Sequence, residues 1–81
     1  KEVDFLIKEG LKVKELIQVC FNTSEPQTKK RELNSLIEAM DEFKLKTGIV
    51  ITEDEEEEEK INGKTVKFLP LWKWLLESPS L

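Results

Sequence analysis

Two apolar segments at the start of the chain alternate in a way that predicts paired β-strands. Residues 3–8 (VDFLIK) place three apolar side chains on one face and the intervening residues on the other, the period of two that is typical of a strand. Residues 13–21 (VKELIQVCF) predict a second strand. From Leu16 onward its apolar run is interrupted only by Gln18, so we expect both of its faces to be covered. The short connection through Gly10 predicts an antiparallel hairpin.

The pattern then changes to helical spacing. Ser24 and Gln27 fit a capping box, and Pro26 falls in the first turn, where proline is tolerated. A helix of about 19 residues is predicted to end at Phe43 or Lys44. The apolar residues expected on its buried stripe recur at spacings of three and four: Leu33, Leu36, Ile37, Met40 and Phe43.

A further strand and a hairpin follow the helix. Residues 48–52 (GIVIT) predict a short buried strand, which the long helical crossover should place parallel to the second strand with right-handed connection. Asn62 and Gly63 are a strong signal for a type I′ turn, which leads into a last strand at 66–68. A short helix is expected from Pro70.

The resulting order is β-β-α-β-β-α. We therefore predict the α/β class, with a mixed sheet of about four strands, a long crossover helix and a short C-terminal helix. The 81 residues are enough for one domain. Because the chain starts without Met and runs directly into a strand pattern, we expect it to be a domain from a longer polypeptide.

Charge is distributed unevenly along the chain. The 17 acidic and 13 basic residues give a net charge of −4, but residues 53–59 (EDEEEEE) hold seven of the acids, so the other ten face 13 bases and the remainder is +3. The acidic run lacks the spaced ligands of a calcium loop and is predicted to be a solvated, self-repelling arm of a hairpin. The basic cluster Lys29-Lys30-Arg31 has two open interpretations, a nucleic-acid contact or a solvated helix face.

Composition excludes several kinds of site. The absence of His removes Ser-His-Asp and Cys-His nucleophile pairs and most zinc sites. The single cysteine excludes an internal disulfide and favours a reducing compartment, so we expect a cytoplasmic protein. No apolar run approaches the roughly 20 residues of a membrane span. Abundant Lys and Glu with little Cys and Met are typical of a thermophile.

Three side chains of the hairpin are candidates for chemistry. Asp4 and Gln18 lie on adjacent strands, and Cys20 projects from the same face as Gln18 because it follows two residues later. A carboxylate within a strand must be paired, bound to a metal or at an edge. Alternatively, Asp4 caps a turn or pairs with a lysine, Gln18 is a hydrogen-bonded core amide, and Cys20 is a small buried apolar residue.

These residues carry a family resemblance. EVDF (2–5) and LIQVC (16–20), followed by a long helix and further strands, resemble the restriction-endonuclease-like, or PD-(D/E)XK, superfamily. With KFLPLWKWLL (67–76), the chain more closely resembles the nuclease-like C-terminal region of archaeal and bacterial AAA-type ATPases. The resemblance implies a nucleotide-binding ATPase domain upstream in the same polypeptide.

The resemblance also implies a degenerate catalytic site. In the superfamily, an Asp on one strand and an Asp or Glu on the next bind a divalent ion, and a Lys two residues further on polarises water or phosphate. Asp4 matches the first acid, but Gln18 stands in place of the second and Cys20 in place of the Lys. Because both replacements oppose Mg²⁺-dependent hydrolysis, we expect no cofactor unless Glu2, on the face of Asp4, supplies a second metal-binding carboxylate.

The last candidates are two tryptophans. Trp72 and Trp74 are about 200° apart on the predicted helix, so one should face the core and the other should be exposed as part of an interface. Three functions remain open: a binding or scaffold module of an ATPase, contacting nucleic acid or a sister subunit; a metal-dependent nuclease; and an oligomerisation domain that uses the tryptophan segment.

Overall fold

The computed structural model describes residues 3–77, which form one mixed five-stranded sheet and two helices. The elements in chain order are β1 (Phe5–Glu9), β2 (Lys12–Val19), α1 (Pro26–Phe43), β3 (Thr47–Thr52), β4 (Glu57–Ile61), β5 (Lys64–Pro70) and α2 (Leu71–Glu77). The strand order across the sheet is β1-β2-β3-β5-β4. The predicted α/β class is confirmed, as are the antiparallel β1–β2 hairpin and the parallel pairing of β2 with β3.

The prediction of about four strands was wrong, because the acidic run contributes a fifth. β4 is built from its second half and pairs antiparallel with β5. The turn between them has positive φ at both Asn62 (51°) and Gly63 (80°), which confirms the type I′ prediction. Glu59 lies opposite Val66 and is half-buried, so pairing with an apolar strand orders this segment despite its charge.

One face of the sheet forms the core with α1. The apolar side chains that meet there are buried: Leu16, Cys20, Val50, Val66 and Phe68 from the strands, and Leu36, Ala39 and Met40 from the helix. The opposite face carries Ile17, Val19 and Ile51, and α2 lies against it at β3 and β5. The sheet is therefore closely covered on one side and only partly covered on the other.

Gly48 allows α1 to approach β3 closely. A Cβ atom at this position would lie 2.8 Å from Met40 Sδ and 3.0 Å from Leu36 Cδ2. Both neighbours are fully buried, so neither can move without disturbing the core. The absence of a side chain at residue 48 thus sets the helix-to-sheet distance.

Both ends of α1 differ in detail from the prediction. Glu25, not Ser24, is the N-cap residue, because the Ser24 hydroxyl donates to Asn22 Oδ1 (2.6 Å) in the preceding turn; the predicted capping box was wrong. Lys44 ends the helix in the left-handed conformation (φ 59°). Phe43 is exposed rather than part of the buried stripe, because Leu45 packs against the core after this turn. The helix length near 19 residues is confirmed, at 18.

The C-terminal helix begins one residue later than expected. Pro70 is the last residue of β5, and α2 starts at Leu71. The two tryptophans divide as the helical angle predicts, with Trp74 half-buried and Trp72 59% exposed.

Candidate functional site

The candidate site is built where the chain enters β1 and β2 ends. The backbone N–H of Asp4 donates to Gln18 Oε1 (3.2 Å), and the backbone N–H of Val19 donates to Asp4 Oδ2 (2.8 Å). Asp4 and Gln18 are thus in direct contact across the hairpin. The carboxylate of Asp4 accepts from a backbone donor of β2, a partner that differs from both the turn cap and the lysine that the sequence suggested.

Gln18 connects three parts of the fold. Its side chain accepts from Asp4, and its Nε2 donates to Glu32 Oε2 of α1 (2.8 Å). Gln18 is only 4% exposed, and no buried side-chain polar atom lacks a partner anywhere in residues 3–77. A buried amide with both ends paired stabilises the join between hairpin and helix, since leaving either end unpaired would cost about 1–3 kcal/mol.

Glu32 is a site residue that the sequence interpretation missed. It lies four residues before Leu36 and therefore on the same helix face. A charged residue in phase with a buried stripe is a signal for a polar partner in the core, and the partner here is the Gln18 amide.

Cys20 is a core residue beside this arrangement. It is 6% exposed, and its thiol lies 3.8 Å from the carbonyl oxygen of Asn22, to which it can donate. Burial raises the pKa of the thiol, and the negative charges of Glu32 and Glu55 raise it further. The thiol is consequently neutral near pH 7 and a poor nucleophile.

Lys29 belongs to a second cluster at the same end of the sheet. Its Nζ contacts Glu55 Oε2 (2.6 Å) and Glu57 Oε1 (3.1 Å) and lies 4.7 Å from the centre of the Phe68 ring. The hydrogen bond to Glu55 raises the pKa of Lys29, so the ammonium is firmly charged. Two carboxylates therefore neutralise Lys29, and a phosphate contact at this residue would have to displace them.

The rest of the predicted basic cluster faces outward. Lys30 is exposed on α1. Arg31 is also exposed, and its Nε lies 4.0 Å from Glu32 Oε1. Two cations on a helix surface do not form the extended basic patch that is typical of nucleic-acid binding.

The acidic run is less solvated than the sequence indicated. The backbone carbonyl of Glu55 accepts a hydrogen bond from Thr52 Oγ1 (2.6 Å), and its carboxylate pairs with the Lys29 ammonium. The neighbouring Glu57 carboxyl and the Lys29 ammonium, both hydrogen-bonded to Glu55, lower its pKa from 4.5 to about 2. The prediction of a wholly solvated arm was therefore wrong for Glu55, which is half-buried, whereas Glu57 is exposed.

This cluster predicts a pH-dependent stability loss in Lys29→Met. Removing the ammonium leaves two neighbouring carboxylates unbalanced and should cost about 1–2 kcal/mol at pH 7, allowing for their partial exposure. Because the folded-state pKa of Glu55 is depressed, its contribution is present above pH 4.5 and is lost as the pH falls towards 2. Urea unfolding should show that the difference in the free energy of unfolding between parent and variant is smaller at pH 3 than at pH 7.

Lys30→Met is the matched control and should change stability by less than about 0.5 kcal/mol. If Lys29→Met lowered the free energy of unfolding equally at both pH values, the cause would be the lost contact with the Phe68 ring rather than the lost ion pairs with the glutamates.

The donor set at Asp4 and Gln18 does not fit Mg²⁺. Mg²⁺ is bound in octahedral geometry by oxygen ligands, usually one or two carboxylates together with waters and substrate phosphates. Here one Asp4 oxygen accepts from Val19, and the single Gln18 oxygen accepts from Asp4. Within residues 3–77, no three His, Cys, Asp or Glu side chains are grouped to hold a metal ion. The other predicted metal ligand, Glu2, lies outside the described residues.

An apolar groove lies on the less covered face of the sheet. It has a volume of about 400 Å³ and is lined almost entirely by apolar side chains of β1, β2, β3 and α2, among them Phe5, Ile17, Ile51 and Trp74. Phe5 at its rim is 58% exposed. The sequence signal for this groove was the apolar face of β1, where Phe5 and Ile7 alternate with the residues of the other face.

Comparisons with protein-family models, with curated proteins and with solved structures found no match to this chain. The family resemblance therefore depends on the motifs at 2–5, 16–20 and 67–76 and on the order of the elements. In the described part of the chain, 3–77, neither helix is both long and apolar enough to cross a membrane.

Proposed function

We propose that this chain is a non-catalytic accessory module with a nuclease-type framework, which serves an ATPase of the same polypeptide by binding or scaffolding rather than by cleaving phosphodiesters. The observation that carries the proposal is the Gln18 amide, which is buried and bonded at one end to Asp4 and at the other to Glu32. An amide in this position stabilises the fold where a catalytic carboxylate would have to stay free for a metal ion.

The nearby side chains that could take the place of the catalytic lysine are either uncharged or already paired. Cys20 is a neutral thiol, which cannot polarise water or bind a phosphate as an ammonium would. Lys29, a half-buried cation in the neighbouring cluster, is paired with two glutamates. Metal-dependent hydrolysis would require these bonds to break before a substrate could bind.

The framework supports the link to the nuclease-like ATPase regions. The two motif segments lie in an antiparallel hairpin, which is followed by a long helix and by a strand parallel to β2. This order agrees with the element order on which the resemblance was drawn. The closing segment 67–76 forms the end of β5 and most of α2. The ATPase partner itself is proposed from the sequence resemblance.

Metal binding and hydrolysis test the proposal directly. We expect no Asp4-dependent cleavage of duplex or single-stranded DNA or RNA with about 10 mM Mg²⁺ or Mn²⁺, and no shift of the Asp4 and Gln18 amide resonances on Mg²⁺ titration. Asp4→Asn is the matched variant, because its side-chain oxygen can still accept from the Val19 N–H. Cleavage that is present in the parent protein and absent in Asp4→Asn would overturn the proposal in favour of an active nuclease.

A further inference from the structure

We infer that β1 pairs edge to edge with β1 of a second copy of this chain, in an antiparallel arrangement centred on Leu6. This inference goes beyond the proposed function and does not depend on it, because it rests on the sheet edge. Of the polar site it uses only the Asp4 carboxylate, which is bonded to the Val19 N–H through one of its two oxygens.

The two edges of the sheet differ in their protection. β1 and β4 are the edge strands. β4 begins with three glutamates, and runs of charge are a common means of preventing edge pairing. β1 begins with Phe5, Leu6 and Ile7, which carry neither charge nor proline. The unpaired backbone groups of β1 therefore remain open to another strand.

The exposed side chains of β1 are unusual for a strand that faces water. Phe5 is 58% exposed, while Leu6 and Ile7 are each 40% exposed. Phe5 lies opposite Ile17 and shares with Ile7 the face of the apolar groove. Leu6 contributes to the groove lining but lies opposite the core residue Leu16, so its side chain belongs to the other face of the strand. Burying apolar surface on both faces of one edge requires another strand in the sheet rather than a helix laid on one side.

The sequence of β1 and the residue before it is complementary to itself in one antiparallel register. With Leu6 opposite Leu6 of the second copy, Phe5 lies opposite Ile7, and Asp4 lies opposite Lys8. Directly opposed residues share a face, so apolar side chains meet on the groove side and opposite charges meet on the other. If Leu6 were instead opposite Ile7 of the second copy, Asp4 would lie opposite Glu9, and these like charges would repel.

This arrangement closes on itself. Antiparallel pairing of identical strands creates a twofold axis, so the contact is isologous and uses both free β1 edges. The outer edges of the resulting ten-stranded sheet are then the two β4 strands, whose glutamates oppose further addition. The grooves of the two copies would adjoin across the axis through Phe5 and Ile7, which extends the buried apolar surface.

Sedimentation velocity across a concentration series tests the inference with charge variants of the 81-residue chain. We expect the parent protein to dimerise, and Lys8→Glu to weaken the dimer about tenfold, because symmetry converts two attractive pairs with Asp4 into two repulsive ones. Lys60→Glu is the matched control: it makes the same charge change on the exposed face of the opposite edge strand and should leave the dimer unchanged. Leu6→Lys, which opposes two cations on the axis, should give a monomer.

Circular dichroism melting of each variant separates loss of dimer from loss of fold. A parent protein that stays monomeric at the highest soluble concentration would overturn the inference. So would a dimer that resists both Lys8→Glu and Leu6→Lys but dissociates in Trp72→Ala, since Trp72 is exposed and does not line the groove; association would then use α2. Neither result changes the hydrolysis test, so the two proposals fail separately.

Discussion

Gln18→Glu is expected to destabilise the protein by about 3–5 kcal/mol at pH 7, the range for an unpaired charge in a buried site. The amide nitrogen that donates to Glu32 becomes a carboxylate oxygen, so two negatively charged groups would lie within about 3 Å in the protein interior. Gln18 is 4% exposed, and water cannot screen this repulsion. The restored acid of the nuclease motif therefore conflicts with the fold that has formed around the amide.

The loss should depend on pH with a definite sign. Because the pair cannot hold both charges, the folded state raises the pKa of the introduced carboxyl, and the folded protein binds more protons than the unfolded chain. The penalty is then absent below the unfolded-state pKa of about 4.3 and grows as the pH rises through the folded-state pKa. Urea unfolding of parent and variant at pH 4, 5.5 and 7 should show the difference in free energy increasing with pH.

Gln18→Met separates charge from lost hydrogen bonding. It removes the bonds to Asp4 and Glu32 without adding a charge, so its cost of about 1–3 kcal/mol should vary little with pH. Millimolar Mg²⁺ provides a second contrast, since three neighbouring carboxylates in Gln18→Glu could gather a cation and recover stability, and Gln18→Met could not. Equal destabilisation of the two variants at every pH would show that the charge interpretation is wrong.

Local patterns were sufficient for most of the sheet. Alternation predicted the β1–β2 hairpin, and the Asn62-Gly63 pair predicted the type of the turn that joins β4 to β5. The long helix between two apolar strands predicted the parallel pairing of β2 with β3. Each of these depends on residues near one another in sequence. The acidic run was predicted as a solvated arm of a hairpin and was not counted as a strand, because an acidic sequence has low strand propensity and pairing with β5 orders it.

The polar clusters could be predicted only in part. Adjacent strands of one hairpin brought Asp4 and Gln18 together, as their register requires. The partners Glu32 and Glu55 come from other elements, and Glu55 lies 26 residues from Lys29. Such pairs depend on how α1 lies across the sheet, which periodicity does not specify. A charged residue in phase with a buried stripe indicates that a partner exists, and the partner's identity requires the fold.

The position of α1 itself should be sensitive to Gly48. We expect Gly48→Val to cost about 3 kcal/mol, at the upper end of the range for overpacking a core, because even its first added carbon would lie 2.8 Å from Met40 Sδ and 3.0 Å from Leu36 Cδ2. Gly48→Ala, with two fewer carbons, should cost about 1–2 kcal/mol. Urea unfolding at pH 7 measures both, and a cost that does not rise with side-chain size would contradict a steric cause.

A double-mutant cycle with Met40→Ala tests whether the strain lies at this contact. Met40→Ala alone should cost about 2–5 kcal/mol, because it leaves a cavity beneath α1. Combined with Gly48→Val, it should cost at least 1 kcal/mol less than the sum of the two single changes, since the added methyl groups enter the space that the methionine leaves. Additive costs would place the strain elsewhere, in the backbone of β3 or against Leu36, and would mean that the contact with Met40 does not set the distance between helix and sheet.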